Sequence, residues 1–210
     1  ANEQLQSHYN DYIFKKDMEE CAAEGIDTVD IECPDNGPCL DLVSGPTGIL
    51  TTLDDQCALG KGTDEEFFSL VCAAYDGKHE YFFKKKTARD VFTVKHYAAD
   101  VAYNTAGWLE KNRDTLKDAL KLLMSRSTDA LVASLFADCV AAGEKKSGKA
   151  PTVSSIFKQQ LKELMAVINS TNPHWIRCIK PHPAKKPKMF NGKYTILQLA
   201  SSGVLGTVKI

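Results

Sequence analysis

Apolar and polar positions follow two periods along this chain, and each change of period marks an element. From the first residues, Leu5, Tyr9, Tyr12 and Ile13 recur at helical spacing, while Glu3, Gln6, Asn10 and Lys16 fall elsewhere. This predicts a helix with an apolar buried stripe, ending near Glu24-Gly25 where glycine can turn left-handed. No capping residue precedes Asn2, so the helix is expected to begin upstream of residue 1. An extended stretch, Ile26 to Cys33, and a Pro-Asp-Asn-Gly-Pro turn follow, then three short helices. Cys39 to Val43 stops at Ser44-Gly45-Pro46, and Ile49 to Leu59 stops at Gly60. Thr63, with Glu66 three residues on, forms a capping box ahead of Phe67, Phe68, Leu70 and Val71. The Gly60-Lys61-Gly62 link is short enough to fold the last two helices into a hairpin.

The period then drops to two. Phe92 to Tyr103 reads as two adjacent strands or one bent strand, with Phe92, Val94 and His96 on one face. Helical spacing returns with Leu109, Leu116, Leu120, Leu123 and Met124 in one stripe and Leu131, Leu135 and Phe136 in the next. Ala141 to Pro151 is small, polar and basic, the pattern of an exposed loop. Thr152 to Asn169 carries the longest stripe: Ile156, Phe157, Leu161, Leu164, Met165 and Ile168. His174 to Ile179 alternates as a strand, which makes Cys178 a small buried hydrophobe. No internal repeat is present. The fold class is mixed α/β and predominantly helical.

Composition narrows the class without naming a function. With 210 residues, 43% hydrophobic and 25% charged, the chain can build a sizeable core and is not disordered. Its 26 basic and 27 acidic residues nearly cancel, so no net field draws it to nucleic acid or membrane. No apolar run is long enough to span a bilayer, and a cytoplasmic protein is expected. Seven cysteines without a repeated short spacing argue against a disulfide framework or a structural zinc site and fit a reducing compartment.

The order and spacing of several short runs resemble the myosin motor head across essentially the whole chain. They include Asn2-Glu3-Gln4-Leu5-Gln6, Glu24-Gly25-Ile26, Gly48-Ile49-Leu50, Leu53-Asp54-Asp55-Gln56-Cys57, His96-Tyr97-Ala98 and Gly107-Trp108-Leu109-Glu110-Lys111-Asn112. Asn172-Pro173-His174-Trp175-Ile176-Arg177-Cys178-Ile179 and Gly203-Val204-Leu205 complete the set. The resemblance implies a fragment of a P-loop NTPase-like motor domain, running from the relay helix to the reactive-thiol helix. It assigns residues 1–33 to the relay helix and loop and 34–140 to a lower actin-binding subdomain with a helix-loop-helix. Residues 141–151 become a basic surface loop, 152–190 a helix and central-sheet strand, and 191–210 the thiol-helix region leading to the converter. Thr28 stands where the relay loop commonly has tryptophan, Ser201 where a reactive cysteine is common, and Gly206-Thr207 where Glu-Gly is usual. These departures imply a divergent, unconventional class.

Chemistry follows from the same resemblance. The intact parent would be an actin-activated Mg-ATPase that partners the actin filament, with a light chain or calmodulin on its neck. The implied actin contacts are Leu59, Lys61 and Thr63 at the hairpin tip and Lys145, Lys146 and Lys149 in the basic loop. Leu5, Tyr9, Tyr12, Gly203 and Gly206 are the implied relay positions. No G-x-x-x-x-G-K-[ST] loop occurs, and Gly143-Glu144-Lys145-Lys146-Ser147-Gly148-Lys149 lacks its spacing, so this segment is expected to bind no nucleotide and to be inactive alone. From the residues alone other readings stay open. Leu59 could tuck under its own hairpin, the lysines could be a solvated face, and the glycines could be plain helix caps. Lys84-Lys85-Lys86 after Tyr81-Phe82-Phe83 reads as packing rather than nucleic-acid stacking, with a secondary actin-facing loop as its family alternative. His96 and His174 read as hydrogen-bonded structural histidines without a third metal ligand nearby, and adjacent Asp54 and Asp55 point apart. The competing function is a non-catalytic actin- or protein-binding helical module.

Overall fold

The structure is a computed structural model and describes residues 1–27, 35–114, 116, 118–141 and 151–204. A long helix α1 (Asn2–Ala23) precedes α2 (Gly37–Ser44), α3 (Ile49–Ala58) and α4 (Asp64–Tyr75). Strands β1 (Phe82–Phe83), β2 (Val91–Lys95) and β3 (Asp100–Asn104) form an antiparallel sheet in that order. Helices α5 (Trp108–Arg113), α6 (Asp118–Ser125), α7 (Ala130–Ala141), α8 (Val153–Asn169) and α9 (Gly192–Ser201) complete the chain.

The core lies where α2 to α5 meet one face of the sheet. Cys39 and Leu42 of α2, Ile49 and Leu53 of α3, and Phe67 and Val71 of α4 are buried against Phe82, Phe92, Val94 and Leu109. Alternation in β2 sends Phe92 and Val94 inward, and the register sets Phe92 opposite Tyr103 and Val94 opposite Val101. Rings interlock there: Phe82–Phe92 centroids lie 5.2 Å apart, Phe67–Trp108 5.7 Å and Phe92–Trp108 5.8 Å in an edge-on contact. The period-two segment is therefore two strands, and β1, only two residues long, was too short to show alternation.

Local signals placed the helix ends. Thr63 Oγ1 accepts the Glu66 N–H at 3.1 Å, and Thr152 Oγ1 accepts that of Ser155 at 3.1 Å. Helix α8 is tied to α3 and α5 by Asp54. Its Oδ1 accepts from Asn112 Nδ2 at 3.0 Å, from Thr152 Oγ1 at 2.5 Å and from Ser154 Oγ, and Lys158 Nζ lies 3.2 Å from Oδ2. Burial pushes the Asp54 carboxyl up, but hydrogen bonds from Ser154, Thr152, Asn112 and Lys158 outweigh it and hold it below its ordinary value. Asp55 is exposed, as adjacent positions on a helix require.

Three expectations are corrected. Helix α1 buries Glu3, Gln6 and Asn10 together with Tyr9 and Phe14, while Leu5, Tyr12 and Ile13 are only half-buried. Polar partners on neighbouring elements draw that face inward, which spacing within the helix cannot reveal. The stripe from Leu109 onward breaks at Asp114, whose φ of 37° turns the chain; Leu109 is buried in the core, whereas Leu116, Leu120 and Leu123 are exposed. Helix α8 forms where its stripe predicts; Met165 of that stripe is buried, and Ile156, Phe157 and Leu164 are exposed. Residues 172–180 form no strand, because among the described residues no edge pairs with them. Their alternation survives with the sides exchanged. Trp175 and Arg177 lean on α1, leaving Ile176 86% exposed and Cys178 exposed as well.

Candidate functional site

The α3–α4 hairpin ends in a tip built by close backbone approach. A side chain at Gly62 would bring its Cβ within 2.2 Å of the Gln56 carbonyl oxygen, so only glycine permits this turn. Arg113 of α5 donates from Nε to the Cys57 carbonyl at 3.2 Å and from Nη2 to that of Leu59 at 3.3 Å. The Asp64 carboxylate accepts the N–H groups of Gly107 at 2.7 Å and Leu109 at 2.9 Å, joining the start of α4 to the start of α5. On this fixed backbone Leu59 points to solvent, 54% exposed, with Lys61 and Thr63 exposed beside it. Leu59 does not tuck under its hairpin. Gly62 was visible in the sequence as part of a tight link; the Arg113 and Asp64 ties cross more than forty positions and left no local signal.

A second cluster lies on α1. The Tyr9 ring receives Trp175 edge-on at 5.3 Å and carries the Arg177 guanidinium at 4.6 Å. Arg177 Nη2 donates to Gln6 Oε1 at 3.0 Å, and Gln6 Nε2 donates to Asn10 Oδ1 at 2.8 Å. The Tyr12 hydroxyl donates to Asn172 Oδ1 at 2.7 Å. Gly203 follows α9 with φ +76°, and a Cβ there would stand 3.0 Å from Gln6 Nε2 and 3.6 Å from the Tyr9 ring. The structure thus brings Tyr9 and Gly203 together and puts Tyr12 one turn further along, while Leu5 lies half-buried with Trp175 and Arg177 around a small recess. Gln6 and Arg177, the central polar pair, were missed because each reads alone as an ordinary surface residue. Gly206, Thr28 and the basic-loop lysines Lys145, Lys146 and Lys149 lie outside the described residues. Lys84 sits 5.6 Å over the Phe68 ring, as packing rather than as part of either cluster.

At the amino-terminal end of α1, Glu3 Oε2 lies 2.8 Å from His96 Nδ1, and the Tyr103 hydroxyl lies 2.7 Å from His96 Nε2. Cys39 Sγ is 3.8 Å from the same Nδ1, and Asn36 Nδ2 donates to Glu3 Oε1 at 2.7 Å. Burial, then the charge and hydrogen bond of Glu3, push the Cys39 thiol up to about 12. His96 is therefore hydrogen-bonded as expected, but the expected lack of nearby donors is corrected: Glu3 and Cys39 come from elements 93 and 57 residues away. His174 is exposed and joins no such group.

Two helix starts beside the sheet, those of α4 and α5, have their first amides already taken. The helix that follows the sheet, α5, has its first amides bonded to the Asp64 carboxylate, and Thr63 takes an amide of α4, so neither turn offers a phosphate cradle.

A small, open antiparallel sheet packed on one face by helices makes this a mixed α/β, predominantly helical chain, as a fragment of a P-loop NTPase-like domain would be. Residues 1–210 match the family model of the myosin head (motor domain), and the chain belongs to that family. It is 39% identical to Myosin-4 of Saccharomyces cerevisiae over 228 aligned residues, covering 100% of this chain and 16% of that protein. It is 36% identical to Myosin-I heavy chain of Dictyostelium discoideum (100% of this chain, 9% of that protein) and 39% identical to Myosin-8 of Arabidopsis thaliana (100% and 14%). The chain thus spans a sixth or less of these relatives. Among the described residues no helix is long and apolar enough to cross a membrane.

Proposed function

We propose that this chain is part of a cytoplasmic, cytoskeleton-associated motor that couples Mg-ATP hydrolysis to movement on actin, and that this segment supplies an actin contact and a conformational relay. The observation that supports it most is the α3–α4 tip. Leu59 stands in solvent beside Lys61 and Thr63 on a backbone already held by Arg113 and Asp64, so docking immobilises little that was free. An apolar side chain so placed is suited to a stereospecific contact, and a neighbouring lysine to an acidic partner. Lys145, Lys146 and Lys149 act as a charged tether that raises encounter rate and is weakened by salt.

Relay belongs to α1. Its contacts with Trp175, Arg177 and Gly203 are polar and aromatic, of a kind that can break and re-form in a second arrangement without dismantling a core. Leu5, Tyr9, Tyr12, Gly203 and Gly206 make up this path, with residues 1–33 as relay helix and loop, 34–140 as the lower actin-binding subdomain, 141–151 as the basic loop, 152–190 as helix α8 and the extended segment after it and 191–210 as the thiol-helix region. The parent, of a divergent class, holds Mg-ATP elsewhere in the head and carries a light chain or calmodulin on its neck.

The test is Leu59→Ser in the intact head, read by co-sedimentation with actin filaments and stopped-flow binding across a salt series. Losing about 1.5–3 kcal/mol of apolar burial weakens strong binding about ten- to a hundred-fold while the salt slope stays unchanged. Unaltered affinity would remove the tip from the interface.

A further inference from the structure

We infer that Glu3, Cys39 and His96 form a binding site for a thiophilic divalent ion of the zinc class. Their three donor atoms lie within 4.8 Å of one another, and they come from α1, α2 and the turn after β2. Thiolate, imidazole and carboxylate are the donors that zinc takes, at about 2.3 Å for sulfur and 2.0–2.2 Å for nitrogen and oxygen. Donors at those lengths around a tetrahedral ion sit roughly 3.2–3.7 Å apart. The Cys39–His96 separation of 3.8 Å already suits this, and the Glu3–His96 separation of 2.8 Å must open by about half an ångström.

The donors are also oriented from behind. Tyr103 holds the far nitrogen of His96, and Asn36 Nδ2 holds the far oxygen of Glu3 at 2.7 Å and its carbonyl oxygen at 2.9 Å. Such partners fix ring and carboxylate direction at metal centres. Access exists as well. Glu3 and His96 line a cleft of about 380 Å³ together with Leu40, Tyr97, Phe157 and Leu161, from which water can supply a fourth ligand. The site stands whether or not the parent is a motor, since it rests only on these side chains.

Protons balance simply. Cys39 is fully buried and its thiol is held well above the usual range, so the ion binds by displacing that proton. With Nδ1 turned to the ion, His96 carries its ring proton on Nε2, 2.7 Å from the Tyr103 oxygen. Binding therefore releases the thiol proton.

Cobalt(II) is the probe, titrated into the full-length protein at pH 7 to 8.5. A near-ultraviolet thiolate-to-cobalt band and visible bands of tetrahedral intensity, saturating with one ion and displaced by zinc, are the expected result. Cys39→Ser abolishes the near-ultraviolet band, Cys178→Ser keeps it, and Tyr103→Phe weakens affinity about ten- to a hundred-fold. Added zinc should also raise the wild-type Tm. No band in the wild type overturns the site without reference to any variant, and so does a band that persists at full strength in Cys39→Ser.

Discussion

The core between α2 and β3 and the interface of α1 with residues 172–177 are assembled from opposite materials. In the core, Phe67, Phe92, Leu42 and Val94 are enclosed by other apolar groups, and most of the binding is area removed from water. Close packing of that kind has one good arrangement, and any shift costs contacts on every side. The α1 interface is held by single, directional contacts: Gln6 to Arg177, Arg177 to Tyr9, and Tyr12 to Asn172. Each is modest, and each can be exchanged for water or another partner. A region built the first way is suited to being a rigid platform, and one built the second way to moving across it. The α3–α4 tip sits on the platform.

The comparison breaks first if the core is not the platform. Phe67→Ala should cost about 3–5 kcal/mol in denaturant unfolding, since a fully buried ring leaves a cavity among Trp108 and its neighbours. A loss below about 1 kcal/mol would mean that the core yields as readily as the α1 face.

Asp54 tests the join between core and α8. Asp54→Ala strands the donors of Ser154, Thr152 and Asn112 and should cost about 1–3 kcal/mol. Because the folded carboxyl is held below its ordinary value of 3.8, its contribution is whole above that value and fades as pH falls through the lowered one. The Tm gap between wild type and variant should therefore be constant near neutrality and narrow in acid. A gap that widens in acid would reverse the sign of the argument.

At the α1 face smaller numbers are expected. Gly203→Ala places a side chain at φ +76° against Gln6 and should cost about 1 kcal/mol. Arg177→Ala should cost only about 0.5–1 kcal/mol, and a double-mutant cycle with Gln6→Ala should return a coupling of similar size. Couplings of several kcal/mol would make this interface as rigid as the core.

Much of the framework was legible in the residues. Thr63 and Glu66 announced a helix start, Gly60-Lys61-Gly62 a tight hairpin, Phe92 and Val94 the buried face of a strand, and Ile156 to Ile168 a long helix. These signals are local, and backbone sterics and nearest hydrogen bonds act over a few residues. The exposed Leu59 tip was half legible: its residues stood out, but not the direction of the leucine or the Arg113 and Asp64 bonds beneath it.

What the chain determined by itself is where elements begin and end, because capping, periodicity and glycine requirements are satisfied within one turn or one strand. Tertiary structure alone decided which face of α1 and of residues 174–178 is buried. Spacing gave α1 an apolar inner stripe, yet Glu3 and Gln6 go inward because His96, Asn36 and Arg177 arrive from 33 to 171 residues away to satisfy them, and Asn10 goes with them as the acceptor of Gln6. A polar group is buried when its partner is present, and the partner's position belongs to the fold. The same rule set Ile176 and Cys178 outward, since only Trp175 and Arg177 found something on α1 to hold.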